Sequence, residues 1–189
     1  LTQAGLAVQP VQAFSRPVEL DGATYAASFR TTRFEAGTYS AGRVYFCQHL
    51  TPELVWRKEW QSHANKTIRT AAFLIVASDP AAEAKKYLLA SGGTLKKGTR
   101  GEWRIQAKKY SLVFVTHAQY TQCYGQLAQE NTARESFFGA IALRTKNLSA
   151  VKQRLVLTQQ RFPEVVWREQ SDRISVSIPD FNTLIDFIK

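Results

Sequence analysis

The sequence predicts an α+β fold assembled from βαβββ modules, and three observations predict it. Two continuous apolar runs, residues 70–77 and 137–143, have the length and character of buried strands. Each is followed by a helix start signal: Asp79 as N-cap with Pro80 in the first turn, and Asn147 as N-cap of the second. Shorter alternating segments come after each helix. The order strand–helix–strand–strand–strand therefore recurs at a spacing of about 70 residues.

In the first copy, Ala81, Ala84, Tyr87 and Leu88 share one face of the helix, and Gly92-Gly93 ends it. Thr94-Leu95-Lys96-Lys97 is the weakest strand candidate. Trp103, Ile105 and Ala107 alternate as a half-buried strand, and residues 110–116 form an apolar one that ends before His117. In the second copy, Leu148, Val151 and Leu155 line the helix, Val165-Val166-Trp167-Arg168 is a strand, and Ser171-Asp172 makes a tight turn. Ile174, Val176 and Ile178 alternate on the next strand, and residues 182–188 are the last. The expected divisions are 67–135 and 136–189 for the two modules.

Residues 1–66 do not hold a full copy. Tyr25, Ala27 and Phe29 alternate on one strand, residues 44–48 give another, and Gly37 and Gly42 belong to their connection. Residues 1–6 suit the tail of a helix. The segment is expected to be the C-terminal strands of an incomplete module plus a connection. The chain starts at Leu1 and holds no methionine, which predicts a processed or trimmed product.

Of the 189 residues, 44% are hydrophobic and 21% charged, as in ordinary globular proteins. No run nears the roughly 18 apolar residues of a membrane-spanning helix, so no membrane partner is expected. Two cysteines make no disulfide framework and predict a cytoplasmic chain with free thiols. The net charge of +10 invites a nucleic-acid reading. The basic residues are scattered in pairs such as Lys85-Lys86, Lys96-Lys97 and Lys108-Lys109, without a dense run or a recognition motif. A solvated basic surface is the expected reading, and a nucleic-acid partner is not expected.

The most informative stretch runs from Phe46-Cys47-Gln48-His49-Leu50-Thr51-Pro52-Glu53 to Leu54-Val55-Trp56-Arg57. With Ser15-Arg16, His63-Ala64-Asn65 and the step Ile75-Val76-Ala77-Ser78-Asp79-Pro80, it resembles the glyoxalase-like domain proteins of the vicinal oxygen chelate superfamily, which includes glyoxalases and extradiol dioxygenases. The resemblance implies that modules pair, laying curved, mainly antiparallel sheets side by side as a cup for a small organic ligand. It implies metal-assisted isomerase, lyase or dioxygenase chemistry in active members, with histidine, glutamine and glutamate ligands from the first and last strands of modules. A non-catalytic binding or interaction module is the alternative, and a homodimer stays open.

The residues meet that implied site only partly. Neither 70–77 nor 137–143 carries histidine, glutamine, aspartate or glutamate. His117 and Asp186, at the ends of last strands, are the remaining candidates. Two donors are too few for a secure divalent site, so a metal is not supported by residues 67–189. His49 reads as catalytic base or metal ligand, or as a histidine bonded to its own loop. Gln48, Glu53, Trp56, Arg57 and His63 are candidate ligand-binding residues around it. Glu53 also reads as a first-turn acid of a helix capped by Thr51, with Pro52 at its first position. Trp56 and Trp60, four apart, are expected on one helix face. Arg57 suits a carboxylate clamp. Cys47 lacks the electropositive setting that a nucleophile needs.

Overall fold

The computed structural model describes residues 2–129 and 134–189. The chain divides into two compact units, residues 1–39 with 43–62, and residues 40–42 with 63–189.

The first unit is an antiparallel sheet of three strands in the order β1-β2-β3: β1 (Gln12–Leu20), β2 (Ala23–Arg33) and β3 (Tyr45–His49). Asp21 and Gly22 join β1 to β2 with φ of 51° and 78°. Both central residues are left-handed, as the tight hairpin turn that matches strand twist requires. This is the hairpin that the alternation at Tyr25–Ala27–Phe29 did not reveal, because Pro17 within β1 reads as a break in a strand. Pairing Arg16↔Ala27, Phe14↔Phe29 and Phe29↔His49 places these side chains on one face. Of the expected helix tail at residues 1–6, the described residues 2–6 hold a 3-10 turn at Thr2–Ala4.

Among its described residues the second unit holds an eight-stranded sheet and three α-helices. The strands are β4 (Thr67–Ala77), β5 (Thr94–Lys97), β6 (Trp103–Gln106), β7 (Ser111–Val115), β8 (Ser136–Thr145), β9 (Val166–Glu169), β10 (Arg173–Ile178) and β11 (Thr183–Ile188). Helix α1 (Pro80–Ser91) follows β4, α2 (His117–Tyr124) follows β7, and α3 (Leu148–Arg161) follows β8. The sheet order β5-β6-β7-β4-β8-β11-β10-β9 is two copies of one arrangement placed back to back. In each copy the first strand pairs parallel with the last, β4 with β7 and β8 with β11, and the remaining pairs are antiparallel. The two first strands then pair antiparallel with each other, and that seam joins the modules. This is the paired βαβββ fold that the sequence predicts.

The local signals act as written. Asp79 accepts from the amides of Ala81 and Ala82, and Asn147 from Ala150. Gly92 ends α1 with φ of 61°, a left-handed value that costs a side chain more than it costs glycine. The two-residue period splits the sheet into two faces. On one face Ile174, Val176 and Phe187 pack with Val151 and Leu155 of α3, and Phe114 meets Tyr87 of α1 at 5.4 Å between ring centroids. On the other face Val76, Val113, Val115, Phe137 and Leu184 pack around Tyr120, Tyr124 and Leu127.

Helix α2 packs against that second face, beside a cavity that the same face lines. Sequence reasoning ended a strand at His117; the structure starts a helix there. Thr116 accepts from the Gln119 amide, and Gln119 reaches back to the Thr116 amide. This reciprocal cap turns the chain out of β7. Gly139 of β8 makes the close approach possible: a Cβ there would lie 2.9 Å from both the Tyr120 ring and Val76, and Tyr120 donates to the Gly139 carbonyl at 3.1 Å. Gly139→Ala is expected to destabilise by about 1–3 kcal/mol through overpacking, seen as a lowered midpoint in urea. An unchanged midpoint would mean that α2 can move off the sheet.

Among the described residues no helix is long and apolar enough to cross a membrane. Both cysteines are free, Cys47 exposed and Cys123 half-buried.

Candidate functional site

The first unit gathers aromatic rings around His49, which is the last residue of β3 and not the first of a loop. Its ring stacks on Trp56 at 5.4 Å and meets Phe29 edge-on at 5.0 Å. Phe14 stacks on Phe29 at 5.2 Å, with the Arg16 guanidinium over Phe14. The Nδ1 atom of His49 is buried and has no hydrogen-bond partner. Trp56 is 63% exposed, so it forms the rim of this cluster and not its floor.

The other candidates of the opening stretch are dispersed. Gln48 is exposed, and strand alternation places it on the opposite face from His49. Thr51 does not cap a helix; its hydroxyl accepts from the Ser28 amide at 2.9 Å and so serves β2. Glu53 lies exposed in a 3-10 turn of three residues, Pro52–Leu54. Trp56 and Trp60 do not share a helix face. Trp60 belongs to a separate 3-10 turn, Lys58–Gln61, which starts after the extended residue Arg57. Arg57 lies over the Trp60 ring and donates to the Glu59 carboxylate. Its fork is therefore engaged locally. A hydrogen bond from its own amide, then the one from Arg57, holds Glu59 below the usual carboxylate range. His63 belongs to the second unit, where its carbonyl accepts from the Lys66 amide.

The second unit concentrates polar groups in its cup. Asp186 of β11 is 5% exposed. It accepts from Ser175 at 2.5 Å and from Tyr124 at 2.7 Å, and faces Arg173 at 3.6 Å. Arg173 also donates to the Cys123 sulfur at 3.3 Å, and Arg168 to the Cys123 carbonyl at 2.7 Å. Burial, then the neighbouring Asp186 charge, pushes the Tyr124 hydroxyl far above the usual phenol range. Burial alone opposes the charge on Arg173, but Cys123 and Asp186 outweigh it and keep the guanidinium protonated.

Beside α2 the cup stays open as a cavity of about 550 Å³. Leu74, Val113 and Val115 give it an apolar floor, and Arg100, Arg104, Arg173, Gln119 and Gln122 supply polar groups. Among the described residues Glu102 is its only acid. Glu102 accepts from the Arg100 amide at 3.1 Å, and Gln119 donates to the Arg100 carbonyl at 2.9 Å. The loop carrying Arg100 is thus fixed to the helix that fills the cup. The volume suits a small organic molecule.

The donor set does not fit a divalent metal. Among the described residues no group of three or more His, Cys, Asp or Glu side chains is placed to hold one. Both Asp186 oxygens are engaged by Ser175 and Tyr124, and the charge that faces them is already Arg173. The His117 ring packs on Phe137 at 5.7 Å. A metal would have to strip these bonds and still lack ligands.

No protein-family model matches the chain, and no curated protein matches it in sequence. Solved structures do match in fold. A crystal structure of a hypothetical protein from Staphylococcus aureus superposes with a TM-score of 0.60 at 7% identity, over 98% of this chain and 58% of that one. The Y257F variant of homoprotocatechuate 2,3-dioxygenase from B. fuscum superposes with a TM-score of 0.52 at 14% identity, over 95% of this chain and 48% of that one. An extradiol ring-cleaving dioxygenase from B. fuscum superposes with a TM-score of 0.50 at 14% identity, over 95% of this chain and 48% of that one. The chain has the glyoxalase-like fold that these dioxygenases share, and it spans about half the length of the solved proteins it matches.

Proposed function

We propose that this protein binds a small organic carboxylate in the cup of its second unit, as a binding module and not as a metal-assisted enzyme. One observation carries the reading: three guanidinium groups, Arg100, Arg104 and Arg173, border a single cavity with an apolar floor. A carboxylate matches the guanidinium fork bidentately, and the floor takes its hydrocarbon part. Arg173 comes pre-positioned by Asp186 and Cys123. The fold likeness to ring-cleaving dioxygenases supports a cupped sheet as the place for the ligand. The donor set in that cup speaks against carrying over metal-assisted isomerase, lyase or dioxygenase chemistry.

The test is calorimetric titration of the protein with benzoate and citrate. Binding of either is expected, weakened about tenfold to a hundredfold by Arg100→Ala, since a hydrogen bond to a charged group contributes about 1.5–3 kcal/mol. Arg100 is exposed, so the variant folds. Failure of both acids to bind, or unchanged affinity in Arg100→Ala, rejects the proposal. The metal-assisted reading has one foothold, the unpartnered Nδ1 of His49. Stabilisation of the protein by Mn²⁺ that disappears in His49→Ala would favour it.

A further inference from the structure

A second basic site lies at the end of the sheet where β4 and β7 begin and β8 and β11 end. A groove of about 830 Å³ is lined there by Arg69, Arg104, Lys108, Lys109 and Arg144, with Tyr110 and Ser111 among the polar groups. No carboxylate of the described residues lines it. Arg69, Arg104, Lys108 and Lys109 take part in no ion pair among the described residues. Like charges gathered without counter-charge repel, and such an arrangement is stable only at the expense of other contacts unless an anion relieves it.

Two of the arginines, and the turn that carries the two lysines, are also held in place. Ala107 donates its amide to the Tyr110 carbonyl, closing the β6–β7 turn that carries Lys108 and Lys109. Gln106 donates to the Ala107 carbonyl at 2.9 Å and accepts from Ser111 at 2.8 Å, which stiffens the same turn. Arg69 donates to the Lys109 carbonyl at 2.8 Å. Arg144 donates one terminal nitrogen to the Lys189 carbonyl, while its Nε is buried without a partner. The β4–β8 pairing breaks register between Thr67 and Arg69 and again between Thr70 and Ala72. Such irregularities re-aim side chains, and both fall at this groove.

We infer that the groove binds a small molecule carrying a chain of two or more phosphates. A single carboxylate or phosphate leaves most of the five cations unmatched. A diphosphate or triphosphate spreads its charge and acceptor oxygens over several of them, with the arginine forks taking oxygens in pairs. The cations line one concave groove of small-molecule size, which favours a compact ligand over the long backbone track of a nucleic acid. This site is separate from the carboxylate cavity, although Arg104 borders both.

Titration of the full chain with orthophosphate, pyrophosphate and tripolyphosphate tests it. Affinity is expected to rise in that order and to fall with added salt. Lys108→Glu with Lys109→Glu, on exposed turn positions, is expected to weaken tripolyphosphate at least about tenfold without lowering the melting temperature. Arg100→Ala is expected to leave it unchanged, so failure here and failure of the carboxylate reading are distinguishable. Equal affinities for the three anions, no effect of the double substitution, or tighter binding of a single-stranded oligonucleotide than of tripolyphosphate would each overturn the inference.

Discussion

Replacing Asp186 by alanine is expected to cost about 3–5 kcal/mol of folding stability, because it removes one partner of a buried charge pair and strands the other. The loss has three parts. Arg173 keeps its charge in a half-buried site and loses the carboxylate at 3.6 Å. Ser175 and Tyr124, both buried, lose their acceptor. The space vacated lies against α2, where water cannot freely compensate. Asp186→Asn keeps the shape and one acceptor, so it is expected to cost less than alanine. Urea unfolding of the three proteins measures both differences. A loss under about 1 kcal/mol in the alanine variant would show that the carboxylate is not structurally required.

Alkali is expected to weaken the fold through the two tyrosines of α2. The phenols of Tyr120 and Tyr124 are both raised above their ordinary value near 10, chiefly by burial. The unfolded chain therefore releases these protons first. Above about pH 10 the folded state binds more protons than the unfolded state, and stability falls as pH rises. The slope reaches about 1.4 kcal/mol per pH unit for each tyrosine. Below the unfolded value the contribution is complete. Tyr124→Phe removes one of the two titrations, so its stability is expected to fall less steeply between about pH 9.5 and 11. Urea midpoints across that range give the two slopes. Identical slopes would mean that Tyr124 ionises without unfolding the protein.

Much of the second unit was legible in the sequence because its signals are local and agree with one another. Residues 70–77 lie within β4, Asp79 and Gly92 bracket α1, and Asn147 caps α3. Even the four-residue strand at Thr94–Lys97 forms, held by its pairing with β6. Helix α2 was missed although its cap, Thr116 with Gln119 three residues on, is a readable start signal. The apolar run before it carries a stronger pattern than the helix itself, which is short, with Tyr, Gln and Cys in place of a clear aliphatic stripe. Its fit to the cup depends on Gly139, far along the chain, which no local pattern reports.

The candidate site was less legible for the same reason. The stretch from Gln48 to Arg57 looked like one cluster because its residues are close in sequence. Strand alternation sends Gln48 and His49 to opposite faces, and two 3-10 turns separate Trp56 from Trp60. The arginines of the cup come instead from a loop, from β6 and from β10, and only the paired sheets bring them to one cavity.

The bond between Tyr124 and Asp186 closes over 62 positions of chain. At a synthesis rate of about 5–20 residues per second, Tyr124 waits on the order of 3–12 s for its acceptor to be made. During that interval the first module can already fold, with α1 on one side of its sheet, but α2 has only half of its cup. Tyr120 finds the Gly139 carbonyl 19 positions on, but Tyr124 stays open to water or to neighbouring chains until β11 arrives. The strand that completes the network is made after α2, so every copy of the chain passes through an interval in which α2 exposes the surface that β11 later covers.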